Sequence, residues 1–119
     1  MSMDVVVWVT CLASVPADLP ESNNWKTQNW DNFVSYTYLS PNMDWQLILE
    51  KLDDGESPTQ QVLTLIPDVK HAYILSLEPI GADELGYNML NESIQFLANQ
   101  CGGAVIEGPA GAQKVAPKP

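Results

Sequence analysis

The chain has no arginine, a single histidine, His71, and only two cysteines, Cys11 and Cys101, one near each end. Each shortage excludes something. Without arginine the surface lacks the planar donor fork that reads phosphates and guanines bidentately. Fifteen Asp and Glu stand against five Lys, for a formal net charge of −10. Lys114 and Lys118 fall in the last few residues, so positions 1–112 hold fifteen acids against three lysines, a balance of −12. Such a surface repels phosphate, which argues against direct nucleic-acid binding, and it attracts a basic protein. Two cysteines with no CxxC and no histidine near them in sequence are too few for a structural zinc site. A disulfide between them is geometrically possible, but in their apolar stretches they read rather as buried free thiols of a reducing compartment. His71 opens an expected strand beside Lys70 with no triad signature around it, so the reading is of a protein without catalytic residues, cofactor or metal.

Long apolar runs are also missing, and no stretch approaches the length of a membrane span. The opening "MSMDVVVWVTCLASVPA" has no basic n-region and carries Asp4 instead, which argues against export. The expectation is a cytoplasmic protein. "DDGE", Asp53 to Glu56, lacks the spacing and distal Glu of a calcium loop. The glycines of "QFLANQCGGAVIEGPAG" follow a helix and precede a strand. They offer a ligand the carbonyl end of the helix, the reverse of a phosphate cradle, and Cys101 gains no pKa-lowering dipole there.

What is present is enough for one domain, since 119 residues at 45% hydrophobic content can bury a core. "DVVVWVTCL", residues 4–12, is apolar almost throughout and predicts a central strand buried on both faces. "WKTQNWDNF" reads either as a short helix or as an irregular excursion. "FVSYTYLS" and "DWQLILEKL" flank "PNM" and predict a β-hairpin with Pro41 and Asn42 in its turn. A short helix follows, with Ser57 as N-cap and Pro58 in its first turn, ending at Pro67. "HAYILSLEPI" predicts an inner strand. The longest helix runs from Asp83 as N-cap to Gly102 and Gly103, with Leu90, Ile94, Leu97, Ala98 and Cys101 on one face beside Tyr87. Leu85, Met89 and Phe96 form a second ridge. "GAVIEGP" predicts a last strand. The expected fold is α+β: one domain over residues 3–109, a mainly antiparallel sheet of about four to five strands with helices on one side, ferredoxin-like or a related sandwich. Residues 110–119 read as a flexible Pro/Ala/Gly-rich tail.

Four tryptophans remain to be placed. Trp8 and Trp45 fall in strands and belong to the core. Trp25 and Trp30 lie among Asn23, Asn24, Asn29, Asp31 and Asn32, a composition that fits either a binding surface or a satellite core.

The C-terminal third, "HAYILSLEPIGADELGYNMLNESIQFLANQCGGAVIEGP", resembles the strand–helix–strand ending of small bacterial immunity proteins of polymorphic-toxin and contact-dependent growth-inhibition systems. The resemblance rests on Leu97, Ala98, Gly102, Gly103, Glu107, Gly108 and Pro109. It implies a cytoplasmic, non-enzymatic inhibitor that binds the C-terminal domain of a cognate toxin, a basic nuclease being the class an acidic inhibitor suits. No functional residue transfers by it. The residues themselves nominate Asp31, Asp53, Asp54, Glu56, Asp83 and Glu84 as the acidic contacts and Trp25 or Trp30 as an apolar anchor. The alternative is a small acidic regulatory or ligand-binding domain that oligomerises through its second helical ridge. Oligomeric state is open.

Overall fold

β1, Met3–Val9, is the strand around which the molecule is built. The computed structural model describes residues 3–13, 15, 19–52, 57–78, 84–108 and 111–118. Along the chain β1 is followed by β2 (Trp25–Asn29), β3 (Val34–Leu39), β4 (Gln46–Lys51), α1 (Gln60–Leu65), β5 (His71–Glu78), α2 (Glu84–Cys101), β6 (Ala104–Gly108) and β7 (Gly111–Val115). The strands form one sheet in the order β2-β3-β4-β5-β1-β6-β7, with every neighbouring pair antiparallel. The α+β class and the antiparallel sheet are as expected, and the strand number exceeds the expectation.

Successive residues of a strand point to opposite faces, and β1 uses both. Val5, Val7 and Val9 join Leu47, Leu49, Tyr73, Leu75 and Leu77 under α2, whose Leu90, Ile94, Leu97 and Ala98 complete the main core. Trp8 points the other way and meets Val62 and Ile66 of the α1 segment, with Ala72 and Val105. The two helices therefore cover opposite faces, which corrects the expectation of helices on one side. The reason is that the centre of the sheet is apolar on both faces: Trp8, Ala72 and Val105 need cover on the second face, and the six-residue α1 supplies it only at the β1–β6–β7 end, as a second, smaller cluster. Its cap is Thr59, whose Oγ1 accepts from Val62 N, rather than Ser57. The helix ends before Pro67, as expected.

α2 stops where the sequence predicts. Gly102 takes φ 73° and Gly103 φ 129°, and Gly103 N donates to Ala98 O at 2.7 Å. That closure needs residues without a Cβ penalty at positive φ. The β3–β4 hairpin is also as expected, held by Ser40, whose hydroxyl donates to Asp44 Oδ1 (2.7 Å) and accepts from Asp44 N (3.0 Å).

Three expectations fall. "WKTQN" is a strand, β2, paired with β3 from Trp25↔Tyr38 to Asn29↔Val34. Only Trp25 is buried in it, so the apolar alternation that marks a strand is nearly silent. Residues 111–115 form β7 rather than part of a tail, so the sheet extends past residue 109. An edge strand needs little apolar content: Ala112 packs on one cluster and Val115 on the other, and the ladder with β6 does the rest. Third, Cys11 and Cys101 are joined in a disulfide with Cα atoms 5.4 Å apart and a sequence separation of 90. Cys11 lies two residues beyond the end of β1 and Cys101 ends α2 just before β6, the neighbour of β1. Topology brings together what sequence separation hides.

Closing so long a loop restricts the unfolded chain, and disulfides of this kind contribute about 2–4 kcal/mol. Urea unfolding with and without a dithiol reductant is expected to show a loss of that order, reproduced by a Cys11→Ser, Cys101→Ser double variant. Unchanged midpoints in both would mean that the link adds nothing to stability.

Candidate interaction site

Two groups of aromatic side chains sit on or beside the β2–β3 hairpin, and they differ in what they can do. Trp25, Tyr38 and Trp45 make a continuous row on the α2 side, with ring centroids 5.7 Å apart at each step. Trp25 is 6% exposed and its Nε1 donates to Pro20 O at 2.8 Å. Tyr38 donates its hydroxyl to Glu21 Oε2 at 2.9 Å, from a Glu21 backbone held at φ 52°. Burial first, and then the hydrogen bond to and the charge of Glu21, push the Tyr38 phenol above its ordinary value. This group is core. It fastens the segment before β2 onto the sheet.

The second group is open to solvent. Trp30 and Phe33 stack across the hairpin turn with centroids 5.8 Å apart and remain 50% and 43% exposed. Trp30 N donates to Phe33 O (2.9 Å) and Trp30 Nε1 to Ser35 Oγ (3.1 Å), so the turn residues Asp31 and Asn32 project from a fixed base. Phe33 also lines a groove of about 750 Å³, with Leu12, Val15, Tyr36 and Tyr73 as apolar wall and Glu50 and Lys51 among its polar lining. Leu12 is 62% exposed, directly after the half of the disulfide contributed by Cys11. The backbone beside it is pinned by Ala13 N, which donates to the Tyr73 hydroxyl at 3.0 Å.

Of the residues nominated from sequence, the structure brings Trp30 and Asp31 together at this end of the molecule and places Trp25 in the core, leaving Trp30 as the tryptophan able to act as an anchor. Asp53, Asp54, Glu56 and Asp83 lie outside the described residues. Glu84 is exposed at the start of α2. Eighteen helical residues span about 27 Å, and Cys101, at the other end of α2, is the end tied to the groove. Glu84 is therefore remote from Asp31. Sequence reasoning missed Phe33, Leu12, Val15 and Tyr36. Phe33 had a signal, as the residue that closes the "WDNF" turn opposite Trp30. Leu12 and Val15 had none, because they reach the groove through the loop after β1.

The second helical ridge does not form a free surface. Met89 is buried in the main core, while Leu85 stands 64% exposed at the start of the helix. Phe96 borders a polar depression of about 530 Å³ beside Asn91, Gln95 and Asn99. Gln95 Nε2 donates to Ala116 O and Lys118 N to Asn99 Oδ1, which straps the end of the chain across α2.

Cys11 and Cys101 are bonded to each other, so neither is a thiol nucleophile. Glu107 is engaged by Trp8 Nε1 (3.1 Å) and by the Thr59 hydroxyl (3.0 Å), a tie between β6 and α1. Among the described residues no group of three or more His, Cys, Asp or Glu is placed to hold a metal, and no helix is long and apolar enough to cross a membrane. No family model, curated protein or solved structure matches the chain.

Because the Tyr38 phenol is raised from 10.0, its contribution to stability is complete below about pH 10 and lost as the pH rises through the raised value. Titrating phenolate absorbance in the wild type and in Tyr38→Phe should isolate one late-ionising group. Glu21→Gln should bring it down while burial keeps it above 10.0. A phenolate titration that Tyr38→Phe leaves unchanged above pH 10 would refute the assignment.

Proposed function

We propose that the chain is a non-enzymatic binding protein, an immunity protein that neutralises a cognate bacterial toxin domain by direct contact. The observation that carries this reading is the exposed Trp30–Phe33 stack beside Asp31 on the rim of a groove, in a chain of net charge −10 with no arginine. Fixed aromatic rings give contact area at small entropic cost, and surrounding carboxylates steer a basic partner and reject an acidic one. A basic nuclease domain fits that chemistry, since its cleft already attracts phosphate. Asp31 is the nominated acid beside this anchor, the net charge of the whole chain supplies the wider acidic field, and no cofactor takes part.

Strands β6-β1-β5-β4 follow the order of a ferredoxin-like sheet, and in chain order the β2–β3 hairpin replaces the first crossover helix of that arrangement, extending the sheet beyond β4 instead of covering a face. An immunity protein of this kind acts in the cytoplasm, where thiols stay reduced. The Cys11–Cys101 bond favours an oxidising compartment instead. Alkylation of thiols in intact cells decides between them: two blocked cysteines place the working protein in the cytoplasm, and none places it outside.

The decisive test is to mix the protein with the toxin domain encoded beside it and to ask whether it protects cells. Trp30→Ala and Phe33→Ala are each expected to weaken the complex by about 1–3 kcal/mol with the fold intact. Trp25→Ala is expected to cost about 3–5 kcal/mol of folding stability instead. Asp31→Asn should slow association and flatten its dependence on salt. Absence of both a complex and protection would end this reading.

A further inference from the structure

The sheet has two edges, and they are built differently. β7 carries Lys114 in its middle, is followed by Pro117, and packs against α1. Charge, proline and a covering helix are the devices by which sheets prevent unwanted pairing. β2 also carries one charge, Lys26, but it has no proline and no glycine, residues 26–29 are all exposed, and among the described residues no helix packs closely on it. Among the described residues no strand pairs with its outer side.

The outer side of β2 has a definite hydrogen-bonding pattern. Trp30 N bonds Phe33 O, and in an antiparallel ladder such bonded pairs alternate with pairs that do not bond each other. In the register Trp25↔Tyr38 to Asn29↔Val34, the residues bonded to β3 are therefore Lys26, Gln28 and Trp30. Trp25, Thr27 and Asn29 aim their N–H and C=O groups away from the sheet.

We infer that this edge pairs with itself, joining two copies of the chain antiparallel about a two-fold axis at Thr27. That register uses every outward-facing residue of β2: Thr27 meets Thr27 of the second copy, and Trp25 and Asn29 meet each other twice. On the open face of the sheet it sets Lys26, the only charge in the strand, opposite Gln28 of the second copy and diagonally within reach of its Trp30 ring. No like charges stand directly opposite, although the two Lys26 side chains are diagonal neighbours across the axis and must turn apart, each toward the Trp30 ring of the other copy. A foreign strand would have to supply an acceptor and a ring for Lys26 at this spacing, whereas a second copy supplies both by symmetry. The inference does not depend on the identity of any toxin, and it leaves the Leu12–Tyr36 side of the groove facing away from the paired strands.

Sedimentation or light scattering over a concentration series tests it. The full chain is expected to reach twice the 13.1 kDa of one copy at protein concentrations of about 100 μM or below. Raising the salt should strengthen the association, because two acidic bodies repel each other, opposite to the effect on a basic partner. Thr27→Pro removes an outward N–H and none of the bonds to β3, so it should weaken pairing more than about tenfold with circular dichroism unchanged. Asn29→Pro and Lys26→Glu probe the same edge if Thr27→Pro perturbs folding. A monomer throughout the range, a dimer indifferent to all three substitutions, or a dimer weakened by salt would overturn the inference.

Discussion

The structure depends on β1 being buried from both sides. Its odd residues, Val5, Val7 and Val9, are the floor of the α2 core, and Trp8 between them is the centre of the α1 cluster. Backbone groups in such a strand have no water to turn to, so β5 on one side and β6 on the other are obligatory partners. The rest follows from that requirement. β5 and β6 both run antiparallel to β1 and hence parallel to each other, which forces a long crossover between them, and α2 is that crossover. Its apolar face then has one place to go.

The disulfide reinforces the same centre. It links the exit of β1 to the exit of α2, the two points at which the chain leaves the main core. The loop that follows Cys11 begins from a fixed position, and so do the exposed Leu12 and the half-buried Val15. The groove beside Phe33 is thus assembled from a hairpin turn and a covalently anchored loop. Its rigidity comes from the core behind it, through Tyr73, whose hydroxyl receives Ala13 N.

How much of this could be read from the sequence depended on how much each residue buried. The continuous run 4–12, the face Leu90–Ile94–Leu97–Ala98 and the paired glycines after α2 declared themselves, because apolar periodicity and left-handed backbone leave direct marks. β2 and β7 left almost none, since edge strands are held by their ladders and ladders are invisible in composition. The disulfide was misread because two cysteines 90 residues apart look solitary until the strand order is known. At the site, Trp30 and Asp31 were legible as aromatic and acidic residues in a polar stretch. Trp25, with the same neighbours, went to the core, because strand alternation separates it from Trp30 and nothing in the local composition records that.

One consequence of the Cys11–Cys101 link concerns the fate of the chain under proteases. Every described surface loop between Leu12 and Gln100 lies inside the ring it closes, including the turn that carries Asp31. A single cut in any of them opens the ring without releasing a fragment. The severed ends stay attached to one body, each half still holding its share of the sheet. Clipping thus becomes a change of connectivity instead of a loss of mass, until something reduces the bond.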